Sequence, residues 1–250
     1  MGRSKVIAGN WKMNKTVAQT REFIEKFLPL VKESKNTVVL CVPYTDIAVA
    51  AEMTKGSNVK IGAQNLHQEK SGAYTGEISA EMLKEAGAEY VIIAHSERRW
   101  YYNERNEIVS VKIIAALNAE LKPIACIGET GEERAAELTQ EVLRYQIKKG
   151  FRKVSAEQLA KVIVAYEPIW AIGTGVTASA EQAQSAIKYI RKVFSELYGE
   201  EIANALCIQY GGSLNEKNAA ELLNQRDIDG GLVGGASLIP EKLAAIVNAV

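Results

Sequence analysis

Glu167, His95 and Lys12 each follow the end of a short β-branched run, and between them they could accept a proton, donate a hydrogen bond and hold a negative charge. A carboxylate drawn out of water becomes more basic, because burial penalises its charged form. His95 precedes Ser96, a good helix N-cap, and Glu97, a good first-turn residue. A helix N-terminus disfavours the imidazolium, and a neutral ring could donate a hydrogen bond to a substrate oxygen. Lys12 supplies a fixed cation. Gly211-Gly212-Ser213 and Gly234-Gly235 are turns whose backbone N–H groups can approach an anion closely. The segment from Gly234 to Ser237 can start a helix aimed at that anion. Each feature also has a plainer reading: a solvated surface carboxylate, a core imidazole satisfied by backbone, a surface lysine, ordinary turns.

What must position these groups is an alternation of strands and helices. Apolar runs recur at residues 5–9, 37–42, 59–63, 90–94, 122–127, 161–166, 205–210 and 230–233. They are nearly continuous rather than alternating, which suits strands covered on both faces. Helical signals fall between them. Thr16 with Gln19, Thr130 with Glu133, and Ser179 with Gln182 each spell a capping box. Ile24, Phe27, Leu28 and Val31 form one apolar stripe; Ile108, Val111, Ile114 and Ala115 form another. Leu138, Val142 and Tyr145 follow the second box, and Ala186, Ile187 and Ile190 the third. Pro240 suits the first turn of the last helix. Parallel strands need helical crossovers. The pattern therefore predicts an α/β fold: a (β/α)8 barrel, its closed sheet of eight parallel strands surrounded by helices, with an open doubly wound sheet as the alternative. No linker-like or low-complexity tract interrupts residues 1–250, so one domain is expected.

In such a barrel the chemistry gathers where strands end and the following loops begin. The polar groups there are Asn10, Lys12, Gln64, Asn65, His95, Glu129, Glu167, Tyr210 to Ser213, and Gly234-Gly235. Composition narrows the partners. Thirty basic and thirty acidic residues cancel, so no bulk charge favours nucleic acid or a membrane surface. An anionic ligand must be captured locally. No apolar stretch reaches the roughly 18 residues that span a bilayer, and the N-terminus carries no signal-like apolar core. Cys41, Cys126 and Cys207 are odd in number and far apart within apolar runs. They read as buried hydrophobes of a reducing, cytoplasmic compartment rather than as disulfides or a metal cluster.

Five segments carry a resemblance. They are Ala8-Gly9-Asn10-Trp11-Lys12-Met13-Asn14, His95-Ser96-Glu97-Arg98-Arg99, the run from Ala165 to Gly175, Tyr210-Gly211-Gly212-Ser213, and Leu232-Val233-Gly234-Gly235-Ala236-Ser237. In order and spacing, end to end, they resemble the triosephosphate isomerase family. The resemblance implies a TIM barrel that interconverts dihydroxyacetone phosphate and D-glyceraldehyde 3-phosphate through an enediolate, with no metal and no organic cofactor. It implies Glu167 as base, His95 as neutral electrophile and Lys12 as the cation for phosphate and enediolate. Asn10 would orient Lys12 or touch substrate, and Glu97 would be a buried carboxylate near Lys12. This family is itself a standard example of such pKa tuning and of lid closure.

By the same resemblance Gly173, Ser213, Gly234 and Gly235 bind phosphate, and Ile172 and Leu232 are apolar walls. Residues 168–178 form a lid with Gly173 over the phosphate. Residues 64–79 form a loop that enters a neighbouring subunit, with Thr75 reaching Asn10 and Glu97 there, which implies a homodimer. His67, in that loop, is assigned no catalytic role. The chain departs from the family pattern at Ala94, where Gly is common, at Val176, where Lys is common, and at Trp100-Tyr101-Tyr102-Asn103. Other phosphosugar barrels share the phosphate site but not this combination of base, lid and imidazole, and a non-catalytic barrel would be expected to have lost Glu167, His95 or Lys12.

Overall fold

All eight apolar runs become strands, and they close into an all-parallel barrel in chain order in a computed structural model that describes residue 3 and residues 5–172 and 177–250. The strands are β1 Val6–Asn10, β2 Thr37–Cys41, β3 Val59–Ala63 and β4 Tyr90–Ile93, followed by β5 Lys122–Ile127, β6 Ile163–Tyr166, β7 Cys207–Tyr210 and β8 Gly230–Val233. Closure is made by β8 on β1, with Ala8 opposite Leu232 and Gly9 opposite Val233. The open-sheet alternative is thereby excluded.

Successive strand residues point to opposite faces, and here both faces are buried. Ala8, Val39, Ile92, Ile124, Cys126, Ala165 and Leu232 form one cluster, the filling of the barrel. Their neighbours Ile7, Val38, Val91, Ala125, Val164 and Val233 belong to a second, larger cluster shared with the surrounding helices. That double burial is why the runs read as continuous. Five strands differ from the expected runs by one or two residues at an end, and two of these shifts have a local cause. β4 stops at Ile93 because Ala94 takes a left-handed backbone, φ 57°. β7 starts at Cys207 because Ala205 still belongs to the helix Glu200–Ala205.

All three capping boxes form, at Thr16, Thr130 and Ser179. The helix Val17–Val31 buries Phe23, Ile24, Phe27 and Val31, and the helix Ala180–Tyr198 buries Ala186, Ile187 and Ile190. Pro240 opens the helix Pro240–Val247. Two stripes differ from the expectation. The Thr130 box caps only the short helix Gly131–Ala135; a separate helix, Thr139–Gly150, buries Leu143 and Ile147, while Leu138 and Tyr145 are exposed. The helix Asn106–Asn118 buries Val109, Lys112, Ile113 and Ala116, not the face of Ile108, Val111 and Ile114. It is apolar on more than one side, so periodicity could not choose the face that meets the barrel. Among the described residues no helix is long and apolar enough to cross a membrane.

At the barrel's N-terminal end a buried ionic cluster ties the last strands together. Arg191 donates to Asp227 Oδ1 (2.9 Å), to Asp229 Oδ2 (2.7 Å) and to the carbonyls of Ala203, Leu206 and Asp227. Asp229 Oδ2 also accepts the Ile208 N–H of β7. Removing one partner strands buried charge, so Arg191→Met should lower unfolding stability by about 3–5 kcal/mol, measured by urea titration. A shift within 1 kcal/mol would show that the cluster contributes nothing net.

The three thiols are free. Burial pushes Cys41 and Cys207 up to about 12, and Cys126 also well above its ordinary value. Since the thiolate is the reactive form, the native protein should react with a thiol reagent far more slowly than the urea-unfolded chain. Equal rates would contradict this burial.

Candidate active site

The first strand ends in an arrangement that fixes a lysine. Asn10 is buried and its Oδ1 accepts the Lys12 N–H at 3.0 Å. Lys12 sits in the left-handed region at φ 54°, a conformation costly for a residue with a Cβ. Gln64 at the end of β3 holds it there, donating to Lys12 O (2.8 Å) and Cys41 O (3.0 Å). Gln64 was visible in the sequence as a strand-end polar group, but its bracing role depends on a contact 52 residues away. Lys12 Nζ lies 2.7 Å from Glu97 Oε1. Glu97 is therefore the lysine's partner as expected, yet its side chain is 39% exposed rather than buried in this single chain.

Across the barrel mouth, β4 and β6 deliver the other two groups. His95 caps the helix Ser96–Tyr101, and its Nδ1 accepts the Glu97 N–H at 3.2 Å. That leaves the ring hydrogen at Nε2, which faces Glu167 Oε1 at 2.8 Å. The two are in close contact but not aligned as a hydrogen bond. Glu167 Oε2 accepts the Ser96 N–H at 2.9 Å. Two glycines make room for the carboxylate's strand: a Cβ at Gly128 would fall 1.7 Å from Glu167 O, and one at Gly211 would meet Glu167 Cγ at 3.0 Å.

The charges are coupled. Burial pushes Glu167 up, but His95, the Ser96 N–H and the Arg99 guanidinium outweigh it, and the carboxyl rests below the usual glutamate range. Burial pushes His95 down, but the Glu167 carboxylate outweighs that, and the ring rests above its ordinary value. The helix N-terminus alone therefore does not decide the imidazole's charge; the neighbouring carboxylate opposes it.

These groups share a cavity of about 340 Å³. Asn10, Lys12, His95, Glu167, Ile172, Ser213, Leu232, Gly234 and Gly235 all line it, from five of the eight strand ends. A Cβ on Gly234 would stand 3.6 Å from Lys12 Cε, so the glycine turn passes beside the lysine stem. Gly235 begins a 3-10 turn, Gly235–Leu238. Lys242, from the last helix, also reaches this cavity and is paired with Glu216 at 3.5 Å. Nothing in its helical context marked it beforehand.

The leading end of the expected lid is anchored. Glu129 Oε1, fully buried, accepts from Tyr166 OH (3.0 Å) and Trp170 Nε1 (2.9 Å), and Arg134 lies over the Trp170 ring at 4.1 Å. Gly173 and Val176 lie outside the described residues. Thr75 is exposed and does not line the cavity. Its loop is closed at the base by a bridge between His67 and Ser79, and the His67 and Tyr74 rings pack at a tilt, their centroids 4.2 Å apart. His67 thus has a structural job in the loop.

A closed barrel that gathers a carboxylate, an imidazole, a lysine and two glycine turns around one cavity at its rim has the architecture of a (β/α)8 enzyme that handles a small charged molecule. The family model described as triosephosphate isomerase matches residues 5–250. Proteins named triosephosphate isomerase from Clostridium botulinum (strain Langeland) and Alkaliphilus oremlandii are 52% and 50% identical over 246 residues, covering 98% of this chain and 99% of each relative. One from Acetivibrio thermocellus is 51% identical over 238 residues, 95% of each chain. The chain belongs to the triosephosphate isomerase family.

Proposed function

We propose that this chain interconverts dihydroxyacetone phosphate and D-glyceraldehyde 3-phosphate, and that Glu167, His95 and Lys12 carry the reaction. One observation supports the assignment above the rest: the Glu167 carboxylate and the His95 Nε2 lie 2.8 Å apart in a cavity that also holds Lys12 and the Gly234 turn. Glu167 removes a proton from the carbon beside the carbonyl, and the electron pair moves onto the carbonyl oxygen. His95 Nε2–H and Lys12 stabilise that enediolate oxygen. The proton returns to the adjacent carbon, and the hydroxyl proton passes between the two oxygens past His95. One C–H bond breaks and one forms. Each step is assigned to a side chain, so the reading requires no metal or organic cofactor.

The resting pKa directions have a consequence for this cycle. The carboxylate that favours the imidazolium is the same group that takes the substrate proton. Once Glu167 is neutral, the largest pull toward the imidazolium is gone; burial and the Lys12 ammonium then favour the neutral ring, against the Glu97 carboxylate. The Glu97 N–H at Nδ1 works the same way throughout, since a protonated Nδ1 would face a second donor. With a transition-state mimic bound, the His95 ring nitrogens should show a neutral Nε2–H tautomer by 15N NMR across pH 6–8. An imidazolium signal would overturn this role.

Ser213, Gly234, Gly235 and, by resemblance, Gly173 bind the phosphate in this reading, with Ile172 and Leu232 excluding water. A lid over residues 168–178 matters because an exposed enediolate phosphate can eliminate phosphate. One domain over residues 1–250 belongs to the same reading, supported by the pairing of β1 with β8. So do a cytoplasmic location, without nucleic-acid or membrane partners, and a homodimer in which Thr75 approaches the other subunit's Asn10 and Glu97. The exposed Glu97 and a second cavity of about 240 Å³ beside it, lined by Met13, Tyr44, Gln64 and Tyr102, support the dimer. Met13 is 96% exposed in the single chain.

The deciding experiment is a coupled assay with D-glyceraldehyde 3-phosphate, run beside larger phosphosugars. Turnover confined to the triose phosphates is expected; none with purified, folded protein rejects the reading. Sedimentation at assay concentrations should show a dimer. A fully active monomer would remove Thr75 from the site.

A further inference from the structure

Arg99 is a part-buried guanidinium that, among the described residues, pairs with no carboxylate. Among the described residues its hydrogen bonds go to neutral acceptors: Nε to Ala94 O (2.9 Å), Nη2 to Cys126 O (3.0 Å) and Nη1 to Asn106 Oδ1 (2.6 Å). The acceptors stand on three different elements. Ala94 O follows the end of β4, Cys126 O belongs to β5, and Asn106 opens the helix Asn106–Asn118. Ala94 O is also the carbonyl of the peptide that joins Ala94 to His95. Ala94 is fully buried and left-handed, φ 57°. A residue with a Cβ prefers to leave that region, and doing so would rotate this peptide and swing the His95 ring. Charge-assisted bonds are stronger than neutral ones, and the one from Nε falls on the peptide whose rotation would misplace the ring, while the other two tie the same guanidinium to β5 and the next helix.

We propose that Arg99 is a positioning residue: it pins the Ala94–His95 peptide to the end of β5 and so holds the His95 ring against Glu167 despite the left-handed alanine. This rests on the catalytic roles given to His95 and Glu167. The cause and the constraint are separable by mutation, because glycine adopts the left-handed region without strain. Ala94→Gly alone should keep kcat within about twofold. Arg99→Gln alone should lower kcat about tenfold or more, with KM changed far less, as expected when catalytic geometry rather than uniform binding is lost. In the A94G/R99Q double variant most of that loss should be recovered. A guanidinium that merely stabilises the fold would lower the midpoint of unfolding in both backgrounds and leave kcat per folded molecule unchanged.

The test is this double-mutant cycle on kcat, with circular dichroism and urea unfolding for each variant. Coupling between positions 94 and 99 supports the proposal. Equal kcat loss in both backgrounds, or unchanged kcat in R99Q, overturns it. If R99Q folds only with A94G, that supports it as well; if it folds in neither background, the same cycle with Arg99→Lys decides, since lysine keeps the charge but lacks the planar fork whose separate nitrogens reach Ala94 O, Cys126 O and Asn106 Oδ1. His95→Gln is measured alongside: full activity there would bring down the catalytic reading of His95, a failure distinct from that of Arg99.

Discussion

Glu167→Gln should leave the barrel folded and lower kcat by about 10²–10⁴-fold, the usual worth of a positioned general base. The amide keeps the volume of the side chain and can still accept the Ser96 N–H that now binds Oε2 at 2.9 Å. What it cannot do is take a proton from carbon. The pH dependence carries a second signature. The resting carboxyl is held below the usual glutamate range, so the base stays ionised to lower pH than a free glutamate would. The acid limb of kcat/KM in the wild type should accordingly lie below that of an ordinary glutamate. The linkage sign agrees: a depressed folded-state pKa stabilises the fold above the unfolded glutamate value, and this is lost as pH falls through the folded one. Steady-state kinetics over pH 4–9, with circular dichroism of both proteins, measures all of this. A variant with near wild-type kcat would remove Glu167 from the chemistry.

Lys12→Met should weaken binding of a phosphorylated inhibitor such as phosphoglycolate by about a hundredfold or more, while unfolding stability moves by about 1 kcal/mol or less. Two effects add in the first number. The ammonium beside the Gly234 turn is lost, and truncating one partner of a desolvated charge pair typically costs about 2–5 kcal/mol. Glu97, now 2.7 Å from Lys12 Nζ, would also be left facing the phosphate with its charge unbalanced. Stability should hardly change, because the Lys12–Glu97 pair is part-exposed and such pairs contribute little. The backbone at position 12 remains braced by Asn10 and Gln64 whatever side chain it carries. Calorimetric titration with phosphoglycolate and urea unfolding separate the two quantities. Unchanged affinity would mean that the phosphate is held elsewhere in the cavity, with Lys242 the next cation to test.

Much of this was legible in the amino-acid order because the relevant physics is local or repetitive. The eight strands showed as apolar runs because both faces of each are buried. The helix starts at Thr16, Thr130 and Ser179 showed because a capping box is closed within four residues. Asn10, Lys12, His95, Glu167, Ser213, Gly234 and Gly235 stand out in the sequence and line one cavity. They were found because a barrel's strand ends converge and because their motifs resemble a family.

Other features were decided only by packing. The face that the helix Asn106–Asn118 buries was set by the barrel it leans on, since the helix itself is apolar on more than one side. The resting charge of His95 depends on a carboxylate 72 residues away, and the poise of Lys12 on Gln64 from another strand. The bond from Arg99 to Ala94 O spans only five positions, but its meaning comes from the left-handed turn between them and from Cys126 on the next strand. Sequence determined which groups are available and which elements carry them, because propensity and periodicity are written into short stretches. Tertiary structure alone decided distances, burial and protonation, because electrostatic coupling and steric room depend on neighbours that the chain brings together only when it closes.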